Sequence, residues 1–191
     1  MSNDVRPRPA PANGDEARFV EVYRSYSRHI QAYCARRTPS SQVADAVADV
    51  FLVAWRRIDQ LPEGDAALPW LYAVAHRVLS HQWRYKARSR KLLERLGGLA
   101  DVQESSPEVV LLRNEEFRAV LSAASRLRGI DQEILRLTFW EELSYADVAY
   151  VLGIGVTAVK ERAYRARRNL AAEYLKLVDP QPPAAWKGGE S

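Results

Sequence analysis

Residues 143–170 read LSYADVAYVLGIGVTAVKERAYRARRNL. Ser144 precedes an apolar run and Asp147 lies three residues on, a start resembling a capping box with Asp in place of Glu. The helix it opens, Tyr145 to Leu152, turns Val148, Ala149 and Leu152 inward, and the small Ala149 permits close approach of a neighbour. Gly153-Ile154-Gly155 follows, with a glycine for the left-handed conformation of a tight interhelical turn and Ile154 to plug the angle. Thr157 is placed to cap the next helix, whose inner face is Val159, Ala163, Ala166 and Leu170. Its outer face carries Lys160, Arg162, Arg165, Arg167 and Arg168, with Tyr164 among them. A helix fits the DNA major groove, where Arg and Lys fork onto guanine edges or hold phosphates. A basic helix face by itself is more often merely solvated. The capped helix before it, the Gly-Ile-Gly turn and the small inward residues favour a DNA-reading helix-turn-helix.

Working outward, the chain reads as all-α, two small helical domains joined by a flexible linker. Residues 1–16, with prolines at 7, 9 and 11, are a disordered leader. The first domain, 17–96, holds three helices. Phe19, Val22, Tyr23, Tyr26, Ile30 and Tyr33 mark the first, and Thr38-Pro39-Ser40-Ser41 breaks it and offers caps for the second. Val43, Val47, Val50, Phe51, Ala54 and Trp55 line the second, and Asp59 to Pro69 forms a loop. The third helix starts near Pro69, a suitable first-turn residue, and runs into the basic stretch Arg84, Lys86, Arg88, Arg90, Lys91 and Arg95. Residues 97–107, opening with Gly97-Gly98, form the linker. The second domain, 108–178, begins with amphipathic helices through Val109–Ala124 and Ile130–Trp140, and residues 179–191 are a disordered tail.

Composition sets the bounds. At 191 residues and 47% hydrophobic, the chain can bury two small cores. A net charge of +4 hints at a polyanionic partner. The single cysteine, Cys34, excludes an internal disulfide and a cysteine metal cluster, and its apolar setting marks it as a small buried hydrophobe. His76 and His81 lack the spacing and companions of a metal site. No apolar run approaches a membrane span and no signal-peptide centre is present, so a cytoplasmic location is expected. No phosphate loop or nucleophile–base set points to an enzyme, and no cofactor is implied.

Glu142 to Gly153 followed by Thr157 to Leu170 resembles conserved region 4 of the sigma-70 family. Ala44 to Trp55 resembles its region 2 helix that grips core RNA polymerase, and Pro69 to Val78 resembles the helix that meets the promoter −10 element. The likeness runs from Ala17 to Leu177 in the family's order, with only the linker between the two regions and nothing like region 1.1. That economy is similar to the extracytoplasmic-function (ECF) group.

The resemblance implies docking on core RNA polymerase through the β′ clamp helices and the β flap, with Asp45, Asp49, Phe51 and Trp55 at the matching clamp-binding positions. Asp45 and Asp49 lie one turn apart. Phe51 and Trp55, also four apart, fit either a core or a partner contact. It implies −10 promoter DNA contact through Arg77, His81, Arg84, Lys86 and Arg88, with the loop before that helix taking up unstacked bases. Where the family commonly has Arg-Asn and then Asp, this chain has His76-Arg77 and His81, a departure that bears on the −10 preference. For the −35 element, Lys160, Glu161, Tyr164 and Arg165 take base-facing positions, Thr157 and Arg162 face the DNA backbone, and Arg168 extends the basic face. Glu161 stands where a serine is common, and its carboxylate suits a cytosine amino group. An anti-sigma factor is an expected partner. The rivals are a dimeric stand-alone helix-turn-helix regulator, which leaves the first domain without a task, an enzyme, and an interaction protein that mimics sigma surfaces. Five phosphate-neutralising groups would give DNA binding a log–log salt slope of roughly −4 to −5.

Overall fold

The computed structural model describes residues 13–95 and 115–178, with side-chain surroundings for 14–85 and 116–178. The expected leader through residue 12, the linker 97–107 and the tail 179–191 lie outside the described residues. Every regular element among the described residues is helical. The chain divides into two compact units, residues 1–108 with 150–153 and residues 109–149 with 154–191.

The first unit contains α1 (Asn13–Ala35), α2 (Ser40–Arg56) and α3 (Ala67–Arg95). Each packs on the other two. α1 starts four residues before Ala17, where its apolar pattern begins, with Asp15 and Glu16 in the first turn, a favourable position against the helix dipole. It ends at the break anticipated at Thr38-Pro39. The serines there do not cap α2: Pro39 takes the N-cap position with no side-chain hydrogen bond, and Ser40 already lies in the helix. Ile30, Tyr33, Cys34, Ala46, Val50, Ala54, Leu71 and Leu79 are fully or almost fully buried. Burial pushes the Cys34 thiol up to about 11, against the opposing pull of Arg37. Cys34 therefore packs as a small apolar group.

The α2–α3 connection is ordered rather than open. It contains two 3-10 turns, Ile58–Gln60 and Gly64–Ala66. Ile58 and Leu61 are buried, and Gly64 adopts φ +59, the left-handed region that glycine enters without steric cost. From α1, Arg18 donates to the carbonyl oxygens of Ile58 (3.3 Å) and Leu61, and the Tyr26 hydroxyl donates to that of Gly64 (3.4 Å).

The second unit contains α4 (Glu115–Ser125), α5 (Gly129–Phe139), the start of α6 (Tyr145–Leu152) and α7 (Val156–Val178). α7 packs against both α4 and α5. Leu127, Leu135 and Ala166 form a buried cluster with Leu170 against it. Beyond that cluster, Glu173 of α7 accepts from Lys176 (2.6 Å) and from Arg126 (3.3 Å), and these bonds hold its carboxyl below the usual range. Trp140, grouped in the sequence with the apolar face of α5, sits past the helix end and is exposed, as is Phe139.

Phe51 is only 4% exposed and meets Phe19 and Tyr23 edge-on, whereas its neighbour Leu52 is 45% exposed. Truncating Phe51 removes buried apolar contacts and leaves a cavity. Phe51→Ala should therefore cost about 3–5 kcal/mol, while Leu52→Ala should stay within about 0.5 kcal/mol of the parent. Chemical denaturation of the two variants, followed by circular dichroism, checks the difference.

Candidate nucleic-acid interface

The helix-turn-helix is built from local hydrogen bonds that the sequence spells out. The Ser144 hydroxyl accepts from the Asp147 backbone N–H (3.1 Å) and donates to the Asp147 carboxylate (2.5 Å). This closes the start of α6 and satisfies a backbone donor that the first helical turn would otherwise leave unpaired. Just before it, Glu142 has φ +53, an unusual left-handed conformation for a residue with a side chain. The Leu143 N–H there donates back to the Leu137 carbonyl (3.0 Å). At the far end of α6, Gly153 adopts φ +66 and the Ile154 N–H returns to the Ala149 carbonyl (3.1 Å). The glycine thus supplies the turn geometry its position suggested.

α7 begins two residues earlier than a cap at Thr157 would place it. Thr157 lies in its first turn rather than at the cap, and the Gly155 carbonyl accepts the first helical bond, from Val159 (3.1 Å). Val159, Ala163 and Ala166 are completely buried, so the helix is pressed inward along a stripe of small side chains. Thr157, Lys160, Glu161, Tyr164, Arg165 and Arg168 are all exposed, and their spacing places them on one outer face. Tyr164, at 69% exposure, stands clear of the protein between Lys160 and Arg168. Arg167 flanks this face, its guanidinium 5.5 Å from the Phe139 ring centroid. Arg162 departs from the expected set. It is half-buried and directed at the buried Asp131, 3.6 Å away, so it does not stand on the outer face with the others.

In the first unit, Arg77, His81 and Arg84 are exposed at i, i+4 and i+7 on α3. That spacing forms one stripe along the helix. Lys86 and Arg88 continue α3, but their side chains lie outside the described residues. Asp59, Glu63 and Asp65 are exposed on the anchored α2–α3 loop. These carboxylates repel phosphate and accept from base amino groups, so the loop suits unstacked bases better than a DNA backbone. The anchoring roles of Arg18 and Tyr26 carry no sequence signal because their partners are backbone carbonyls some 40 residues on.

On α2, Asp45, Asp49 and Leu52 are exposed along one side. Asp49 accepts a hydrogen bond from Gln82 of α3 (3.1 Å), which ties the acidic stripe to the basic helix. Trp55 is half-buried, with its ring 5.1 Å from Phe19 and close to perpendicular to it. Phe51 belongs to the core, which corrects its place among the partner-facing residues. Leu52 is the apolar group that the acidic stripe offers instead. Among the described residues, no group of three His, Cys, Asp or Glu side chains could hold a metal ion, and no helix is long and apolar enough to cross a membrane.

These features define a helical protein with two compact units, one presenting a helix-turn-helix with an exposed basic outer face. Comparison with known proteins narrows the class. Residues 22–89 match the family model described as Sigma-70 region 2, and residues 117–170 match that described as Sigma-70, region 4. The RNA polymerase sigma factor NccH of Alcaligenes xylosoxydans xylosoxydans is 28% identical, over 84% of this chain and 89% of that one. The ECF RNA polymerase sigma factor BldN of Streptomyces coelicolor is 32% identical, over 83% of this chain and 61% of that one. Among solved structures, the sigma factor RpoE from Bartonella quintana, in complex with the anti-sigma factor NepR, shares the fold with a TM-score of 0.62. It is 24% identical and covers 84% of this chain and 98% of that one. The chain belongs to the sigma-70 family.

The hydroxyl of Ser144 has no substitute in an alanine variant. Ser144→Ala should lower the stability of the second unit by about 1 kcal/mol. Calorimetric melting of the full chain should show this as a shift confined to one transition if the units melt separately, with the Phe51→Ala shift in the other.

Proposed function

We infer that the protein is a promoter-recognition subunit that binds core RNA polymerase and directs initiation at its own promoters. α7 reads the −35 element, while α3 and the loop before it open and read the −10 element. The observation that carries this reading is the outer face of α7, where Lys160, Glu161, Tyr164, Arg165 and Arg168 are exposed beside a fully buried inner stripe. Its role is non-enzymatic and cytoplasmic. Residues 97–107 serve as the tether between the −10 and −35 modules.

Polymerase contact is assigned to Asp45, Asp49 and Leu52, with Trp55 at the margin. An apolar residue one turn from Asp49 and two turns from Asp45 fits a partner surface that pairs arginines with an apolar contact. An anti-sigma factor would hold the protein inactive by covering these same surfaces. The exposed Val20, Tyr23 and Leu52 offer apolar area for it. The solved sigma factor RpoE, which shares this fold, is in complex with such a factor.

Run-off transcription with bacterial core polymerase and a library of genomic promoter fragments tests the reading. Initiation should appear only when the protein is added, and should be lost in the Lys160→Ala/Arg165→Ala variant. Duplex binding as a dimer without polymerase, and without initiation, would identify a stand-alone regulator instead. The polymerase surface has its own check, since Leu52→Ala and Asp49→Ala should each weaken core association at least several-fold in a titration while leaving the melting profile in place. Unchanged core affinity in both would remove α2 from the interface.

A further inference from the structure

The least expected group beside the recognition helix is a carboxylate in the first turn of α5. Asp131 is 1% exposed. Its Oδ2 accepts from Arg128 Nε at 2.9 Å, and Arg128 Nη2 approaches the same oxygen at 2.9 Å. Its Oδ1 is buried with no hydrogen-bond partner among the described residues. The charge nearest to that oxygen in the described ion pairs is Arg162 Nη1 on α7, at 3.6 Å. One buried carboxylate is thus shared between an arginine at the start of α5 and one on the recognition helix.

We propose that Asp131 is a positioning residue that withholds Arg162 from DNA and registers α7 against α5. The proposal rests on the reading of α7 as the DNA-facing helix. A buried carboxylate is costly without an opposing charge, and Arg128 serves only one of its two oxygens. If Arg162 swung out to a phosphate, Oδ1 would lose the cation that faces it. Arg162 therefore stays turned inward, and Lys160, Arg165 and Arg168 carry the electrostatics of docking. The two arginines on Asp131 differ in exposure, 65% for Arg128 and 33% for Arg162, so the inner partner is the one on the reading helix. The arrangement also sets how far α7 can rotate about its axis, and with it which side chains reach base edges.

Salt dependence separates this role from a structural one, because each phosphate-neutralising group contributes about 0.9 to the log–log slope of DNA affinity. The full chain would be titrated against a mixed-sequence duplex at several salt concentrations. Arg165→Ala should flatten the slope by about 0.9, and Arg162→Ala should leave it within about 0.3 of the parent. Asp131→Asn should free Arg162 and steepen the slope by up to about 0.9, equivalent to about a three- to fourfold larger loss of affinity between about 50 and about 200 mM salt. Equal flattening by Arg162→Ala and Arg165→Ala would overturn the proposal, as would an unchanged slope in a folded Asp131→Asn variant. If Asp131→Asn melts below the assay temperature, the comparison of Arg162→Ala with Arg165→Ala decides by itself. A parent slope that neither Lys160→Ala nor Arg165→Ala alters would instead remove α7 from DNA, and the proposal would fall with the reading beneath it.

Discussion

The second unit depends on the close seating of α7 through Val159, Ala163 and Ala166, each with no exposed surface. Side chains this small bury little apolar area apiece, so they do not supply most of the unit's stability. They let the helix axis come near α4 and α5, where Leu127, Leu135 and Leu170 provide the bulk. A helix seated on its narrow side leaves a wide arc to solvent. That arc can be filled with long cationic side chains without any of them competing for the core. The division of labour along α7 therefore follows from side-chain size as much as from charge.

The first unit solves a related problem on α2. Phe51 and Leu52 are adjacent in sequence and apolar, yet one closes an aromatic cluster with Phe19 and Tyr23 and the other faces solvent. Successive helical residues point about 100° apart, so a helix flanked by partners on two sides keeps a strip that neither covers. Asp45, Asp49 and Leu52 occupy that strip. Exposed carboxylates there cost the fold little, since water solvates them, and they remain available to a partner's cations. The Gln82–Asp49 hydrogen bond fixes one of them relative to α3.

The helix order and the turn chemistry at Ser144 and Gly153 were legible because each rests on local rules: periodicity, capping and positive φ. Phe51 and Trp55 were not separable in the sequence. Residues four apart share a face, and whether that face meets a neighbouring helix is decided by tertiary packing. Thr157 lies two residues past the observed cap position for a simpler reason: Gly155 and Thr157 both suit an N-cap, and backbone geometry alone selects between them. Arg162 looked like one more cation on a basic face. Its partner, Asp131, lies 31 residues upstream in a segment that reads as ordinary amphipathic helix, so no pattern could have joined them. Arg18 was hidden in the same way, since it anchors backbone carbonyls, which carry no sequence signature.

A net charge of +4 over 191 residues is a weak attraction for DNA. Part of the positive charge is paired internally: Arg162 and Arg128 on Asp131, Arg126 and Lys176 on Glu173. The loop expected to receive bases is itself acidic. Each DNA-facing surface taken singly is therefore modest, and a free chain would not outcompete the many nonspecific sites of a genome by affinity alone. Joining two modest surfaces changes the arithmetic, because once one is engaged the other binds at an effective concentration set by the connection between them. That gain exists only when both promoter elements are presented at a compatible spacing. In this architecture, internal neutralisation of the basic side chains favours selectivity, because it lowers the baseline attraction that any DNA would enjoy and leaves the paired elements as the main route to tight binding.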